Sequence, residues 1–211
     1  MTAEPLPGAD LPTGPTEVTE PGTRWPVPPQ EGWTVDDLLT LPDLPPHTEL
    51  IDGRLVFVSP QRYFHSVAID LLVTGLRAAG PRSWRAVREM TVVLDRRNAP
   101  EPDVLVVRAE AVTGPKATRF AADDVLLAVE VLSPDSRARD TEAKPRKYAA
   151  AGIAHFWLVD STGDGSRPVV RVYELDPVTK AYTLSGIHHD RLKLDSPFAL
   201  DLDLTALDDL M

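Results

Sequence analysis

Glu130 is the residue whose surroundings most need a chemical explanation. Seven of the eight residues in the run 125–132 are apolar, and the run ends at Ser-Pro, which predicts a buried strand. An unpaired carboxylate inside such a strand would lose its hydration at a cost of several kcal/mol. The sequence therefore predicts that Glu130 meets a cation, a metal ion or a shared proton.

Asp103 is the second acid expected beside it. It follows Pro102 at the start of the apolar run 104–107, and consecutive strands are usually neighbours in a sheet. Asp103 and Glu130 are therefore predicted to meet. Each also has a purely structural interpretation, Glu130 in a salt bridge and Asp103 in a Pro-Asp turn.

The segment DTEAKPRKYAAAG after Glu130 predicts a helix that starts at Asp140 or Thr141, with Gly152 at its C-terminal cap. Lys144 lies one turn before Tyr148, so the two share a helix face. Lys147 is the alternative basic residue. A surface pair between Lys144 and Asp140 is the structural interpretation of this lysine.

Glu49 and His65 complete the set of candidates. Glu49 precedes Asp52-Gly53, a strong signal for a tight hairpin turn, and either faces the same cleft or is a solvated hairpin flank. His65 opens a segment with apolar residues at helical spacing up to Gly80, and either lines the cleft or makes a local hydrogen bond.

Composition limits the chemistry. The 211 residues include no cysteine, which excludes disulfides, thiolate zinc sites and cysteine nucleophiles. Any metal must then be held by carboxylates, histidines, carbonyls and water, a ligand set that favours hard ions such as Mg²⁺ or Mn²⁺. The net charge of −10 disfavours a large basic surface for nucleic acid.

The elements predict one α+β domain over residues 31–211, behind a disordered proline-rich leader at 1–30 that holds eight of the 21 prolines. A capped helix at Thr34, the hairpin and the long helix precede strands at 84–95, from Asp103 and at 125–132. A loop, with or without a short helical turn, spans 109–124, and an aromatic set is expected in the core: Tyr148, Phe156, Trp157 and Tyr173. No membrane span or secretory signal is visible, which predicts a cytoplasmic protein.

The ordered motifs carry a family resemblance. ELIDG, then SP followed by His65, PDV, EVLSP, K-x-x-x-Y-x-x-x-G-I and HFWLVD resemble the Uma-two family of bacterial endonucleases, over about residues 32–190. That family belongs to the PD-(D/E)XK superfamily, so the resemblance implies a restriction-endonuclease-like mixed β-sheet flanked by helices. One departure is Leu132, which stands where the superfamily pattern has its lysine.

The resemblance implies roles for these residues. Asp103 corresponds to the PD aspartate, Glu130 to the second acid and Glu49 to an upstream acid, while Lys144 matches a lysine that the family takes from the following helix. Mg²⁺ or Mn²⁺ would be held by Asp103, Glu130 and the carbonyl of Val131. Lys144 would orient or deprotonate water or stabilise charge on the phosphate, and His65 and Tyr148 would be neighbours of the site.

The predicted function is therefore metal-dependent hydrolysis of phosphodiester bonds in DNA, by a possible homodimer. Two alternatives stay open: a catalytically inactive fold that binds DNA or protein, and a metal-dependent phosphodiesterase acting on a small substrate. A basic lip around the acidic site would reconcile DNA binding with the net charge. Its candidates are Arg82, Arg85, Arg88, Arg96, Arg97, Lys116, Arg119, Arg137, Arg139, Arg146 and Lys147.

Overall fold

The computed structural model describes residues 27–161 and 167–207. The leader expected at 1–30 lies almost wholly outside the described residues. None of the helices in the described ranges is long and apolar enough to cross a membrane.

The described residues form three α-helices and twelve strands, together with short 3-10 and π-helical turns. The helices are α1 (Val35–Thr40), α2 (Tyr63–Ala79) and α3 (Lys144–Ala150). The strands are β1 (Glu49–Ile51), β2 (Arg54–Val56), β3 (Trp84–Arg88), β4 (Thr91–Val93), β5 (Val104–Arg108), β6 (Arg119–Ala121), β7 (Val125–Val131), β8 (His155–Ser161), β9 (Pro168–Asp176), β10 (Ala181–His188), β11 (Arg191–Leu194) and β12 (Leu200–Asp203).

A six-stranded mixed sheet in the order β10-β9-β8-β7-β5-β3 forms the centre of the fold. Its neighbours are antiparallel except β7 and β8, which are parallel. A parallel step needs a crossover connection, and α3 lies within the one between β7 and β8. The crossover therefore carries the chain over one face of the sheet soon after Glu130, and this places the α3 residues on that face.

Side chains alternate between two core layers, as the period of two along a strand requires. Val104, Val106 and Val129 pack on the α2 side together with Trp157. On the other face, which α3 covers, the strand residues Leu105, Val107, Ala128 and Phe156 pack together with Tyr148. Of the aromatic set expected in the core, Tyr148, Phe156 and Trp157 are buried, and Tyr173 packs half-buried against Phe156.

The predicted first helix and hairpin are confirmed. Thr34 caps α1 with a full capping box to Asp37, and the helix ends before Pro42. Asp52 and Gly53 form the turn between β1 and β2, both with positive φ (52° and 73°), as two-residue hairpins favour. The hairpin holds Glu49 in place because Leu50 also bridges to Ala99.

Three expectations about elements are wrong. The stretch 84–95 is not one strand, because Glu89 has a positive φ of 50° and separates β3 from β4, which pairs with β6 outside the main sheet. The stretch 109–124 has the short helical turns that were allowed for it, at Ala109–Ala111 and Ala122–Asp124, but it also contains strand β6, which was not expected. The helix after Glu130 begins before Asp140, because residues 137–138 are already helical and a π-helical turn at Arg139–Ala143 follows them before α3. Pro145 lies in the first turn of α3, and Gly152 follows the C-cap with a φ of 86°, as expected.

Candidate active site

Asp103 and Glu130 meet at the junction of β5 and β7. Val104 pairs with Val129 in the antiparallel register, and one step further along it Asp103 lies opposite Glu130. The N–H of Val131 donates to Asp103 Oδ2 at 2.6 Å. Glu130 is 1% exposed and Asp103 is 8% exposed, so both carboxylates are in the protein interior.

Lys144 supplies the cation that Glu130 needs. Its Nζ lies 2.8 Å from Glu49 Oε1, 3.1 Å from Glu130 Oε2 and 3.2 Å from Asp140 Oδ1. The pair with Asp140 exists, but Lys144 is 4% exposed, so its interpretation as a surface lysine is wrong. One ammonium joins residues from the hairpin, the central strand and the π-helical turn.

Glu49 is buried as well, with 2% exposure, so the solvated hairpin flank is also wrong. Besides Lys144, its Oε1 accepts a hydrogen bond from the backbone N–H of Glu101 at 2.8 Å. That contact ties β1 to the segment leading into β5, two residues before Asp103.

Tyr148 and His65 each orient one of the central acids. The Tyr148 hydroxyl donates to Glu130 Oε1 at 2.5 Å. Burial and the surrounding carboxylates raise the pKa of Tyr148, so its hydroxyl keeps the proton that it donates. His65, in the first turn of α2, places Nε2 at 3.2 Å from Asp103 Oδ1. Lys147, the alternative lysine, contacts Asp52 at the hairpin turn instead.

The cluster carries more negative than positive charge. Four carboxylates, those of Glu49, Asp103, Glu130 and Asp140, surround the single Lys144 ammonium. Burial raises the pKa of Glu130 well above its usual range, against the lowering effect of Lys144, and the other acids add to the rise. The pKa of Asp140 rises for the same reasons. Burial alone would lower the pKa of Lys144, but the carboxylates outweigh burial and raise it well above the usual range.

These side chains line a narrow cavity of about 40 Å³. Among the basic residues expected to form a lip, Arg139 is the one that lines this cavity in the described part of the chain. Arg88 pairs with Asp70 and Glu89, and Arg137 pairs with Asp160. Further lining comes from His47, Val58, Gln61, Glu89, Glu101, Ser133 and Ser136.

The residues present fit a hard divalent cation. The acids offer oxygen donors, which Mg²⁺ and Mn²⁺ prefer, and their excess negative charge is what a divalent cation would neutralise. Two buried atoms of the lining, His65 Nδ1 and Arg139 Nε, have no hydrogen-bond partner among the described residues, whereas Asp140 Oδ1 is paired with Lys144. In those same ranges no three acid or histidine side chains form a ready metal site, so Asp103 and Glu130 would need the Val131 carbonyl and water to complete a ligand set.

Sequence reasoning missed one acid of this cluster and one ion pair beside it. Asp140 was predicted as a helix start and as a surface partner of Lys144, although its position four residues earlier was the signal that it faces the same way. The second is a pair at the pocket rim, where His47 Nδ1 lies 2.5 Å from Glu101 Oε1. Glu101 is the middle residue of Pro-Glu-Pro directly before Asp103, but nothing in the sequence linked it to His47.

Comparison with solved structures supports the fold class. A protein from Anabaena variabilis, described as "a putative nuclease belonging to DUF820", is 22% identical, with a TM-score of 0.63 over 83% of this chain and 97% of that one. NucC of P. aeruginosa in its cAAA-bound form is 11% identical over 69% of this chain and 85% of that one, with a TM-score of 0.37. Apo NucC of E. coli is 18% identical over 57% and 58%, with a TM-score of 0.29. No curated protein matches the sequence.

The mixed sheet with its flanking helices is thus an α+β fold of the restriction-endonuclease-like class. The chain belongs to the Uma2 family, described as "Putative restriction endonuclease", which matches residues 35–207. The family match includes every residue of the buried cluster, from Glu49 to Tyr148.

Proposed function

We propose that the protein is a metal-dependent endonuclease that hydrolyses phosphodiester bonds in DNA. The observation that carries the proposal is the junction of β5 and β7, where Asp103 and Glu130 are held side by side below the Lys144 ammonium. Two acids on adjacent strands with a lysine above them provide metal ligands and a charge for the phosphate in one place.

Asp103, Glu130 and the backbone carbonyl of Val131 would hold Mg²⁺ or Mn²⁺. The ion, when bound, would supply Lewis-acid polarisation of the phosphodiester and activation of water. Around it, the Val131 N–H and His65 fix Asp103, and Tyr148 fixes Glu130. Each acid is therefore held in one orientation by a neighbouring donor, as precise metal binding requires.

The charge state of Lys144 indicates which of its possible roles in the reaction it would have. The surrounding carboxylates raise its pKa and favour the ammonium form, which suits stabilisation of charge better than removal of a proton from water. As an ammonium, it would stabilise negative charge on the phosphate and orient water by donating hydrogen bonds. Glu49 and Glu130 both form ion pairs with Lys144 Nζ, and these contacts hold the lysine side chain at the cavity.

A structural ion-pair network is the competing function class, and one observation favours it. Lys144 already contacts three carboxylates, so the cluster satisfies its lysine without any ligand. Such a chain would be a binding module that uses the fold without catalysis. A measurement of metal binding distinguishes the endonuclease from the binding module, because a purely structural network has no need of a divalent ion.

The test is Mn²⁺ titration calorimetry beside plasmid nicking, with the wild type and Glu130→Gln. The substitution keeps the shape of the side chain and removes its charge. Glu174→Gln is the matched control, since Glu174 is an exposed glutamate on β9 of the same sheet. We expect the wild type and the control to bind the ion and nick DNA, and Glu130→Gln to fold but do neither. A folded wild type that binds no ion would refute the proposal.

Cutting both strands of a duplex calls for two such sites, so we extend the proposal to a homodimer. Light scattering coupled to gel filtration measures the mass directly. A monomeric mass at assay concentration would restrict the proposed activity to single-strand cleavage.

A further inference from the structure

A second cavity lies at the far end of α2 from the candidate active site. It has a volume of about 370 Å³, and most of its lining comes from the C-terminal end of α2 and from the edge strand β3. His65 at the candidate active site and Arg77 in this cavity are separated by about 18 Å along the helix, at 1.5 Å per residue. The two cavities are therefore separate sites.

Three arginines line this second cavity: Arg77 on α2, Arg85 on β3, and Arg82 on the segment between them. Among the described residues no acid lines it, and none of the three guanidinium groups forms an ion pair there. The cavity of the candidate active site, by contrast, is lined by more acids than bases. In a chain with a net charge of −10, the second cavity is a local concentration of positive charge.

Backbone carbonyls hold two of these guanidinium groups in place. Arg77 Nε donates to the carbonyl of Ala86 at 3.0 Å. Arg85 Nη1 donates to the carbonyls of Arg82 at 2.6 Å and Trp84 at 2.9 Å. In the described ranges the other nitrogens of both groups form no hydrogen bond within the protein. Each group is thus fixed with N–H donors left over, and a guanidinium fork matches two oxygens of a phosphate or carboxylate.

Apolar side chains form most of the remaining lining: Leu76, Trp84, Ala86, Val87, Val106, Val112 and Phe198. A mainly apolar wall with a few charged groups, at this volume, is typical of a small-molecule site. Arg108 lies over the Trp84 ring, 5.2 Å from its centroid, and adds positive charge at the border of the cavity. A matching ligand therefore has an apolar part as well as an anionic group.

The number of arginines favours one kind of anion. A phosphate monoester carries nearly two negative charges at pH 7 and has three terminal oxygens, so it can meet three guanidinium groups. A carboxylate or a phosphodiester carries a single charge. A DNA backbone would also leave the apolar part of the cavity unfilled.

We propose that the cavity between α2 and β3 binds a small organic phosphate, a monoester with an apolar or aromatic body. The arginines would hold the phosphate and the apolar lining would pack against the body. This site goes beyond the proposed endonuclease function and does not depend on it.

Titration calorimetry on the full chain tests the proposal, with inorganic phosphate, phenyl phosphate and 1-naphthyl phosphate as probes. The buffer, at about pH 7.5, contains EDTA, so that no divalent ion contributes. We expect phenyl phosphate to bind about ten-fold more tightly than inorganic phosphate, and 1-naphthyl phosphate more tightly again, because each added ring buries apolar surface.

Arg82→Gln and Arg85→Gln test the arginines. The exposed Arg82 side chain forms no hydrogen bond in the described part of the chain, so its replacement should leave the fold intact, which circular dichroism checks. We expect each variant to bind phenyl phosphate about ten-fold more weakly, since a charge-assisted hydrogen bond is lost. Arg54→Gln is the matched control, because Arg54 is an exposed arginine on β2, outside the cavity lining.

Affinity for all three probes that is equal or absent would overturn the inference, and so would binding that is unchanged in both Arg82→Gln and Arg85→Gln. A DNA duplex of about 20 base pairs is the competitor. If it displaces phenyl phosphate in a manner that depends on Arg82, the anion is a backbone phosphate and the small-molecule site is refuted. Since EDTA removes divalent metal, each of these results holds whether or not the protein nicks DNA.

Discussion

The Lys144 ammonium lies 3.1 Å from the Glu130 carboxylate, across the interface between α3 and the central strand β7. Both residues are almost fully buried, and the same ammonium also contacts Glu49 at 2.8 Å. Because burial makes each unpaired charge costly, removing one partner should affect both the fold and the chemistry of the site.

Lys144→Met should destabilise the fold strongly. The substitution leaves four buried or nearly buried carboxylates without their cation, and loss of one partner of a buried pair costs about 3 to 5 kcal/mol. Urea unfolding near pH 7.5 measures the free energy of unfolding. Lys147→Met is the control, since its partner Asp52 is well exposed and the loss should stay below about 1 kcal/mol. Equal losses for the two variants would contradict the buried network.

Tyr148→Phe should weaken the site while leaving the fold intact. Glu130 loses a charge-assisted hydrogen bond worth about 1.5 to 3 kcal/mol, and its carboxylate form is less stabilised. We therefore expect the acid limb of Mn²⁺ binding to move to higher pH, because protons compete better for Glu130.

Tyr182→Phe is the control variant for the pH shift expected in Tyr148→Phe. Its hydroxyl donates to the backbone carbonyl of Ile153 and has no contact with the acids. Its loss should cost about 1 kcal/mol of stability and leave the pH profile of metal binding in place. The same shift in both variants would show that Tyr148 acts only through packing.

Mild acid should stabilise the metal-free protein. Burial raises the pKa of Glu130 and of Asp140 above the ordinary values of 4.5 and 3.8. The stability linked to their protonation is fully present below those ordinary values and is lost as the pH rises through the raised folded values. We expect the melting temperature to increase when the pH falls from about 7.5 to about 5.5.

Mn²⁺ should raise the melting temperature more at the higher pH, where these acids are ionised. Glu130→Gln with Asp140→Asn should reduce the pH dependence to a smaller part, contributed by groups such as His47 and Glu101, whose pKa values are also raised. Asp37 and Asp160 have lowered pKa values, so their contribution is lost only as the pH falls below about 4, outside this window. A melting temperature that falls on mild acidification would contradict the assigned charge excess.

Removal of residues 1–30 should leave the domain folded. The leader holds eight of the 21 prolines and little hydrophobic pattern, whereas the buried residues nearest to it begin at Trp33. We expect the circular dichroism spectrum and the melting temperature to be retained within a few degrees. Aggregation, or a melting temperature many degrees lower, would show that the domain needs this segment.

Local patterns were enough to predict several elements of the fold. Thr34 with Asp37 marked a capped helix and Asp52-Gly53 marked a hairpin, because both signals depend on backbone geometry within a few residues. The break between β3 and β4 was not predictable in this way. Their residues have similar strand propensity, and the pairing of β4 with the distant β6 decides the boundary.

The sequence by itself determined that Glu130 needed a cation, a metal ion or a shared proton, since a carboxylate within an apolar strand has a high desolvation cost whatever the fold. It also determined that Asp103 lies beside it, because consecutive strands usually pair. Only the tertiary structure decided which lysine is the partner and which further acids share it. Lys144 and Lys147 are three residues apart on one helix, and the packing of that helix turns Lys144 toward Glu130 and Lys147 toward Asp52. Glu49 joins the cluster through long-range packing, which no local pattern records, whereas Asp140 is four residues before Lys144 and shares its helix face.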